Sequence, residues 1–471
     1  MEQVLPSSID YTKILPVAAG NPRALRRSYF PINGQTFTAN GNNIIRVEVS
    51  ASQFWDPLHS FLRFNVTIPA PGNGQGLGLD YGCGHGFIRR LRLEQAGSII
   101  MDCNRYDRLL SAILLPCQGG VESLQHRSLT EQARFANTGA AGATYDNPIS
   151  NAVITGGALT ALQNSDTEIA DGGTFQVCIP LVGGLFSQSK LVPLQLLSSA
   201  PLTIEIELAS PGDVGVTTAA ANVALADYTI SDVRYIASLV EVSADVDAQI
   251  RMVQEMSGGQ IVISSTDYTH FNGQIPANST GNQAVNIPAR RKSMKSLLWV
   301  GASNSFAAAG AASQHQRYNL SYGGHLNLVD YFVKIGSMTH PATPVLCNFN
   351  AANRVNVRGE AVMELSKCFG TTGSVVGLGM LSAPNTYNTP GAVAGMSSSS
   401  LPARFSPFGL DLEAFQRTAI ESGVNTADRS TPITLVLNVG AAIAEQISLD
   451  CYVSFDSLYF IDSSGIISVS Q

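Results

Sequence analysis

Charged residues are scarce in this sequence: Asp, Glu, Lys and Arg together make up 13% of its 471 residues. This is about half the share that is usual in a soluble domain. A monomer in free solution normally keeps more charge on its surface, so we expect neighbouring molecules to cover much of this one. The net charge of −7 also disfavours a general nucleic-acid binder, which needs a basic excess to displace counterions from phosphate.

Long apolar runs, a secretory leader and closely paired cysteines are missing as well. The strongest apolar run, Leu109–Leu115, is too short to span a bilayer and is followed by Pro116. Residues 1–20 lack the basic start and apolar block of a secretory signal. The seven cysteines are widely spaced and include no C-x-x-C pair. We therefore expect reduced thiols rather than a disulfide framework or a structural zinc site.

No sequence signature of catalysis is present either. The sequence has no phosphate-binding G-x-x-x-x-G-K-[ST] loop, no G-x-S-x-G nucleophile motif and no H-x-H or H-E-x-x-H metal pair. Cys83 and His85 could chelate an ion weakly, but no neighbouring ligand completes a tetrahedral set. We predict no catalytic, cofactor-binding or metal-binding residues, and no small-molecule substrate.

What the sequence does contain is a strong period of two. In Leu202–Leu208 every even position is apolar, and Leu449–Ile461 shows the same alternation on odd positions. Such alternation is typical of strands with one buried face. Further segments of this kind are separated by turns rich in Gly, Asn and Pro, which indicates β-sandwiches or barrels rather than an α/β sheet. The fold class is therefore predicted to be all-β with a few short helices.

Two helices are predicted, one in each half of the chain. Apolar residues at helical spacing predict a helix over Tyr106–Leu114, capped by Asn104 and closed by Pro116. A similar stripe predicts a helix over Ala361–Phe369, ended by Gly370. After each helix come a small-residue excursion, a strand, a further apolar segment, a Pro-x-Thr-x strand and a final strand pair. This repeated order indicates a tandem duplication of one fold.

The duplication predicts how the chain is divided. Residues 1–22, with scattered apolar side chains, are predicted to form a docking arm, residues 23–245 the first domain and residues 246–471 the second. The two excursions, residues 118–173 and 371–403, are too long for ordinary turns, so we expect them to be functional or to form contacts.

The strand-like segments of the first half also have a specific order: Arg26–Phe30, Asn43–Val49, Trp55–Pro57, Phe61–Val66 and the block Phe87–Leu115. In this order the chain resembles double jelly-roll major capsid proteins, as in tectivirus-like, virophage and polinton-like viruses. The resemblance implies two tandem eight-stranded antiparallel jelly-roll β-sandwiches that stand upright in an icosahedral shell. It also implies homotrimers with a pseudo-hexagonal outline, and outer loops that form towers.

The same resemblance implies the partners and the location. The partners are two further copies of the chain, neighbouring capsomers, and the penton and minor capsid proteins, in a virion made in the host cytoplasm or a virus factory. Arg23, Arg26 and Arg27, beside the predicted arm, are expected to contact an inner membrane or packaged DNA at the inner face. Two other basic clusters are interpreted as salt-bridged or solvent-facing strand edges: Arg89, Arg90 and Arg92, and Arg290–Lys292 with Lys295.

Two other functions stay open on the sequence alone. A carbohydrate-binding virion spike or secreted β-sandwich lectin would need aromatic clusters in its loops, yet both tryptophans, Trp55 and Trp299, fall in apparent strands. A hydrolase on a jelly-roll scaffold would need a cleft of acidic residues. Glu205 and Glu207 are two such carboxylates, but strand alternation already explains them. We predict a structural protein and not an enzyme.

Overall fold

The computed structural model describes residues 22–68, 77–80, 82–118, 126–127, 130–131, 173–188, 190–197, 200–217, 227–303, 320–321, 323, 326–347, 359–372, 407–415, 422–428, 432–442 and 446–471. The predicted arm up to residue 21, and most of the excursions 118–173 and 371–403, lie outside these ranges. Within the ranges, no helix is both long and apolar enough to cross a membrane.

The first twelve strands build a sandwich of two antiparallel sheets. They are β1 (Arg23–Tyr29), β2 (Thr36–Thr38), β3 (Ile44–Val49), β4 (Phe54–Thr67), β5 (Leu77–Leu79), β6 (Ile88–Gln95), β7 (Ser98–Asn104), β8 (Thr174–Ile179), β9 (Val192–Pro193), β10 (Leu202–Leu208), β11 (Gly215–Thr217) and β12 (Thr229–Glu241). One sheet has the order β1-β12-β4-β8 and the other the order β3-β10-β6-β7. The short strands β2 and β9 extend the first sheet, and β5 pairs with β11.

The remaining nine strands build a second sandwich. They are β13 (Gln260–Ile275), β14 (Gly281–Asn286), β15 (Met294–Ser303), β16 (Leu328–Ile335), β17 (Met338–Leu346), β18 (Phe408–Asp411), β19 (Ile433–Val439), β20 (Ile447–Asp462) and β21 (Ile467–Ser470). The sheet orders are β13-β20-β15-β18 and β14-β19-β16-β17, with β21 added beside β20.

Both sandwiches therefore repeat one topology. When the short extra strands are left out, each sandwich has eight strands, with the first, eighth, third and sixth in one sheet and the second, seventh, fourth and fifth in the other. This is the jelly-roll arrangement, formed by antiparallel pairing throughout. The prediction of two tandem eight-stranded jelly rolls is confirmed.

Successive strands of each sandwich run in opposite directions, so the connections between them lie alternately at its two ends. Connections that follow the first, third, fifth and seventh strands lie at one end, which we call the long-connection end because it includes the spans from β7 to β8 and from β17 to β18. The other end, which we call the base, has tight hairpins. One is the Ala96–Gly97 turn between β6 and β7, where both residues have positive φ, as a two-residue hairpin requires. The start of β1, the end of β12 and the start of β13 also lie at the base.

Helical segments occupy a few connections. The longer ones are Tyr106–Leu109, which continues through a π-helical stretch Leu110–Leu114 into Leu115–Gln118, the linker helix Ala244–Met256 and the helix Gly359–Cys368. Single turns occur at Pro211–Val214 and, as 3₁₀ helix, at Cys83–Phe87, Gly184–Phe186 and Leu194–Leu196. The linker helix occupies the join between the two sandwiches. The predicted domain boundary between residues 245 and 246 falls inside it and stays a prediction.

The first predicted helix forms, but its predicted ends are wrong. Arg105, with φ of 50°, precedes the helix, and the Asn104 side chain accepts only from the adjacent Arg105 N–H, so Asn104 is not a helix cap. Pro116 does not close the helix, which continues to Gln118. A new α-helical segment starts at Leu115 after the π-helical stretch, and Pro116 sits in its first turn, where a missing N–H costs little. The second helix is confirmed, and Gly370, with φ of 59°, follows it.

In each sandwich, a tryptophan on the third of the eight main strands lies in the core. Trp55 on β4 is fully buried and makes edge-to-face contacts with Phe186 and Tyr235, at 5.8 and 6.1 Å between ring centroids. Trp299 on β15 is equally buried, and stacks on Phe408 at 5.7 Å. Aromatic groups bury the largest apolar areas per residue, so the two tryptophans contribute strongly to both cores.

Candidate functional site at the seam between the sandwiches

The two sandwiches meet along a seam, which consists of β7 and the helix after it on one side and the sheet containing β13 and β20 on the other. Strand β7, at the edge of its sheet, contacts β13, and the π-helical stretch Leu110–Leu114 contacts β15. The first sandwich thus places an edge strand and a helix against the face of a sheet of the second. This arrangement sets how the two sandwiches are oriented within one chain.

A buried cluster of charges lies at the long-connection end of the seam. Arg108 donates from Nε to Asp450 Oδ2 at 3.1 Å, and His270 Nε2 lies 2.9 Å from Asp450 Oδ1. Arg108 also donates from Nη1 to the backbone oxygen of Leu320 at 2.7 Å. The Tyr452 hydroxyl donates to the backbone oxygen of Arg105 at 2.9 Å. The cluster therefore joins the first helix to β13 and β20.

The cluster holds Asp450 in its charged form. Burial alone would raise the pKa of this carboxyl, but the hydrogen bond from His270 and the charges of Arg108 and Arg105 outweigh burial and hold the pKa below its usual range. Since Arg108 is only 2% exposed, removing one partner would leave an uncompensated buried charge, which is strongly destabilising. The cluster is thus specific for one relative position of the two sandwiches.

Two further carboxyls near the seam have pKa values that burial raises to about 7. Asp267 on β13 is 1% exposed and accepts a hydrogen bond from the Tyr268 backbone N–H at 2.8 Å. Burial raises its pKa to about 7, against the lowering effects of this bond and of the Arg291 charge. Burial also raises the pKa of Asp107 to about 7, although Arg105 lies 3.3 Å away and lowers it.

Uncharged contacts fix the seam at the base. Gln95, the last residue of β6, donates to the backbone oxygen of Gly465 at 2.9 Å and accepts from the Ile467 N–H at 2.7 Å. Ser265 on β13 donates to the backbone oxygen of Gly184 at 2.6 Å. The long-connection ends of the two sandwiches therefore lie together, and so do their bases. The sandwiches stand side by side in the same direction.

The first predicted basic cluster and the two candidate hydrolase carboxylates pair with one another. Glu205 on β10 accepts from Arg46 Nε at 2.8 Å and from Arg92 Nη1 at 3.0 Å. Arg90 donates from Nε to Asp102 at 2.7 Å. This is a ladder of cross-strand ion pairs on the outer face of a sheet. The interpretation of the cluster as salt-bridged is confirmed, but β6 lies inside its sheet and not at an edge.

The second basic cluster likewise has partners within its own sandwich. The Arg291 guanidinium lies 4.1 Å from the centroid of the Phe455 ring and donates to Thr269 and to Gln471. Lys295 Nζ lies 2.9 Å from Glu413 and 3.5 Å from Asp456. These contacts tie the base of the second sandwich together, in agreement with the structural interpretation.

The three arginines expected at the inner face follow one another along β1 without forming a joint patch. Arg23, at the base, is exposed and paired in register with Glu241. The Arg26 guanidinium lies 5.6 Å from the Phe61 ring centroid, whereas Arg27 lies 5.1 Å from that of Tyr29 and donates to Ser50. Adjacent strand residues point to opposite faces. Contact of these arginines with a membrane or DNA stays a prediction.

The Cys83–His85 pair is buried at the start of β6. Burial lowers the pKa of His85 to about 4, and its Nδ1 lies 3.3 Å from the Tyr106 hydroxyl. Within the part of the chain that the structure describes, no group of three or more His, Cys, Asp or Glu side chains is placed to hold a metal ion. Burial also raises the pKa of the Cys83 thiol, which disfavours the thiolate that a metal would need.

Sequence reasoning missed the residues of the seam. Arg108 and Asp450 are 342 positions apart, and spacing along the chain carries no information about such a pair. One signal was present: Asp107 and Arg108 are the two charges in the predicted helix Tyr106–Leu114, and an arginine that becomes buried requires a partner.

Comparison with known proteins identifies the fold. No protein-family model and no curated protein sequence matches this chain. Among solved structures, VP54 of PBCV-1, fitted into a reconstruction of the virophage Sputnik, is similar at a TM-score of 0.57 and 10% identity, covering 98% of this chain and 99% of that one. A chain of the Sputnik virophage itself gives 0.55 and 10%, covering 99% and 92%. The Faustovirus major capsid protein gives 0.54 and 8%, covering 93% and 90%. The chain thus shares the double jelly-roll fold of these viral proteins.

Proposed function

We propose that this chain is a structural major capsid protein, whose homotrimers tile the shell of an icosahedral virion. The observation that carries the proposal is the upright, side-by-side pairing of two equivalent jelly rolls, locked by the Arg108–Asp450 pair. A tile built in this way presents a repeated outline to its neighbours. Neighbouring capsomers, penton and minor capsid proteins are the partners we propose, and the virion is the proposed location.

The trimer would repeat the seam between chains. The elements of the second sandwich that correspond to β7 and its helix are β17 and the helix Gly359–Cys368. They carry exposed apolar side chains: Met338 is 64%, Leu346 43% and Met363 48% exposed. Exposed apolar groups on an edge strand and an adjacent helix are typical of a protein interface.

The first sandwich offers the matching surface. The sheet that corresponds to β13 and β20 contains β1 and β12, and its outer side carries Arg26 over Phe61 and Arg234 over Phe30. The facing helix Gly359–Cys368 carries Glu360 and Glu364. Basic and apolar groups would thus meet acidic and apolar groups.

A head-to-tail contact of this kind has a simple geometric consequence. Heterologous interfaces close into rings when the rotation between units permits it. If each chain contributes two similar wedges and every junction resembles the seam, three chains give six wedges around one axis. We propose that the long-connection end faces outward and the base faces inward, where Arg23 is exposed.

The sugar-binding and hydrolase alternatives receive less support. Both tryptophans are buried in the cores, so neither provides a stacking platform for a sugar. Glu205 is ion-paired with Arg46 and Arg92. We propose a non-enzymatic role.

The test is the mass and outline of the purified protein. Light scattering after size exclusion should give three times the mass of one chain, and negative-stain images should show particles with a six-sided outline. A monodisperse monomer at micromolar concentration, without assembly in any buffer that preserves the fold, would contradict the proposal.

A further inference from the structure

The linker helix Ala244–Met256 presents three of its large apolar residues to the outside. Met252 is 60%, Val253 59% and Met256 81% exposed. On a helix these three residues lie on one side, since their positions differ by one and four. We call them the exposed stripe.

The side of the helix that faces the protein is only partly apolar, since Val246 and Ile250 are half-buried there but Gln254 on the same side is polar. Gln254 is its one buried residue, and its amide donates to the backbone oxygens of Gly259 and Ile461 at 3.4 Å each. A surface helix normally turns its apolar side inward. Here the polar Gln254 faces the protein and the stripe faces away, so the stripe is suited to being covered by another segment. Methionines adapt readily to the shape of such a partner.

The course of β1 identifies a segment that starts beside this helix. Arg23, the first residue of β1, is paired with Glu241, and the helix begins three residues later at Ala244. The 21 residues before Pro22 therefore join the described part of the chain at the base, next to the first turn of the linker helix.

The distances along the two segments match. At 1.5 Å per residue, Met252 and Met256 lie about 12 and 18 Å along the helix from Ala244. At about 3.3 Å per extended residue, Val17 can reach roughly 17 Å from Pro22 and Ile14 roughly 26 Å. The sequence at this reach is Ile14-Leu15-Pro16-Val17-Ala18, which is uncharged and apolar, whereas the residues between it and Pro22 are small.

We propose that Ile14–Ala18 of the same chain packs on the exposed stripe. The contact would bury apolar surface of both partners and would tie the region before β1 to the join between the sandwiches. The occupant is chosen by proximity and composition: it is apolar, it is covalently tethered within reach, and tethering gives it a high effective concentration at the stripe.

Methionine oxidation tests the proposal on the full chain. Hydrogen peroxide is added together with free methionine, and sulfoxide at Met252 and Met256 is followed by mass spectrometry. We expect both to react several-fold more slowly than free methionine. In the double variant I14D/L15D the rate should rise towards that of free methionine, because buried carboxylates are unfavourable. The matched control V4D/L5D places the same charges outside the required reach and should keep the protection.

Equal oxidation of Met256 in the unchanged chain and in I14D/L15D overturns the proposal. Protection that survives I14D/L15D but vanishes on dilution would assign the stripe to an interface between copies, and also overturns it. A photoreactive residue in place of Met252 shows whether the segment that covers the stripe belongs to the same chain or to another copy. Cross-links within one chain are expected, and cross-links that join two chains contradict the proposal. The mass measurement under Proposed function is independent of these outcomes.

Discussion

Arg108 in the first sandwich and Asp450 in the second are joined by a hydrogen bond of 3.1 Å between Nε and Oδ2, and the arginine is almost completely buried. The carboxylate of Asp450 also lies 2.9 Å from His270 Nε2. The pair therefore couples the stability of one sandwich to that of the other.

Replacing Arg108 by Met should destabilise the protein strongly. The substitution keeps much of the side-chain volume but leaves Asp450 buried without its arginine partner, which costs about 3–5 kcal/mol. We expect a lower melting temperature in calorimetry and a broadened or split transition as the sandwiches uncouple. R89M is the matched control, since the Arg89 side chain is 48% exposed and 4.0 Å from Glu207. It should cost less than about 1 kcal/mol. Equal melting of R108M and R89M would refute the coupling.

Asp267 should make the fold less stable as the pH rises. Burial raises its pKa from the ordinary value of 3.8 to about 7 in the folded chain, so the folded state binds more protons between these values. The contribution of Asp267 to stability is then fully present below about pH 4 and is lost as the pH rises to about 7. D267N should be more stable than the unchanged chain at pH 8, by on the order of a few kcal/mol, and the difference should shrink at pH 5.

Chemical denaturation at both pH values measures this difference. Asp107, with a pKa also raised to about 7, acts in the same direction, so D267N should reduce the pH slope without abolishing it. D245N, at an exposed position of the linker helix, should leave the slope unchanged. An unchanged slope in D267N would show that Asp267 is charged throughout this range.

Met363→Asp should weaken the proposed trimer without unfolding the chain. Met363 is 48% exposed on the helix Gly359–Cys368, so a carboxylate is tolerated in the single chain but is costly in an apolar contact. Sedimentation velocity should show a shift from trimer to monomer, with unchanged circular dichroism. N286D adds the same charge on β14. This strand lies at the opposite edge of the sheet from β17, so the variant should keep the trimer. If M363D sediments like the unchanged chain, this helix is not part of the contact.

Gly184→Ala should destabilise the base of the seam more than Gly97→Ala. Both glycines have positive φ, 49° and 78°, so both substitutions carry backbone strain of about 1–2 kcal/mol. A Cβ at Gly184 would lie 2.7 Å from Met101 Sδ and 2.8 Å from the Tyr459 hydroxyl, whereas at Gly97 nothing lies within 4 Å. The difference in unfolding free energy between the two variants measures the close approach itself. Equal losses would mean that Met101 and Tyr459 move aside freely.

The sequence predicted the repeating parts of this fold well. Alternation in Leu202–Leu208 and Leu449–Ile461 marks strands whose buried face is set by the core, and both form as β10 and within β20. The placement of Trp55 and Trp299 in strands was also correct. These features depend on local periodicity, which one sequence displays directly.

Features that depend on distant partners could not be predicted. Arg108 and Asp450 meet because two folded sandwiches dock, and nothing near either residue records the other. The linker helix was missed for a different reason. Val246, Ile250 and Val253 are at helical spacing, but the segment was interpreted as the boundary between two domains.

The long-connection end and the base of each sandwich differ in how well they tolerate changes of sequence. Strand register and seam contacts depend on residues of the strands, the hairpins and the first helix, whereas the spans from β7 to β8 and from β17 to β18 leave from the end opposite the base. A foreign peptide inserted between β17 and β18 would therefore be displayed away from the base, and the hydrogen-bond ladders beneath it would keep their alignment. The fold thus provides a display platform in which the long spans can diverge, while the helices Tyr106–Gln118 and Gly359–Cys368 within them stay constant.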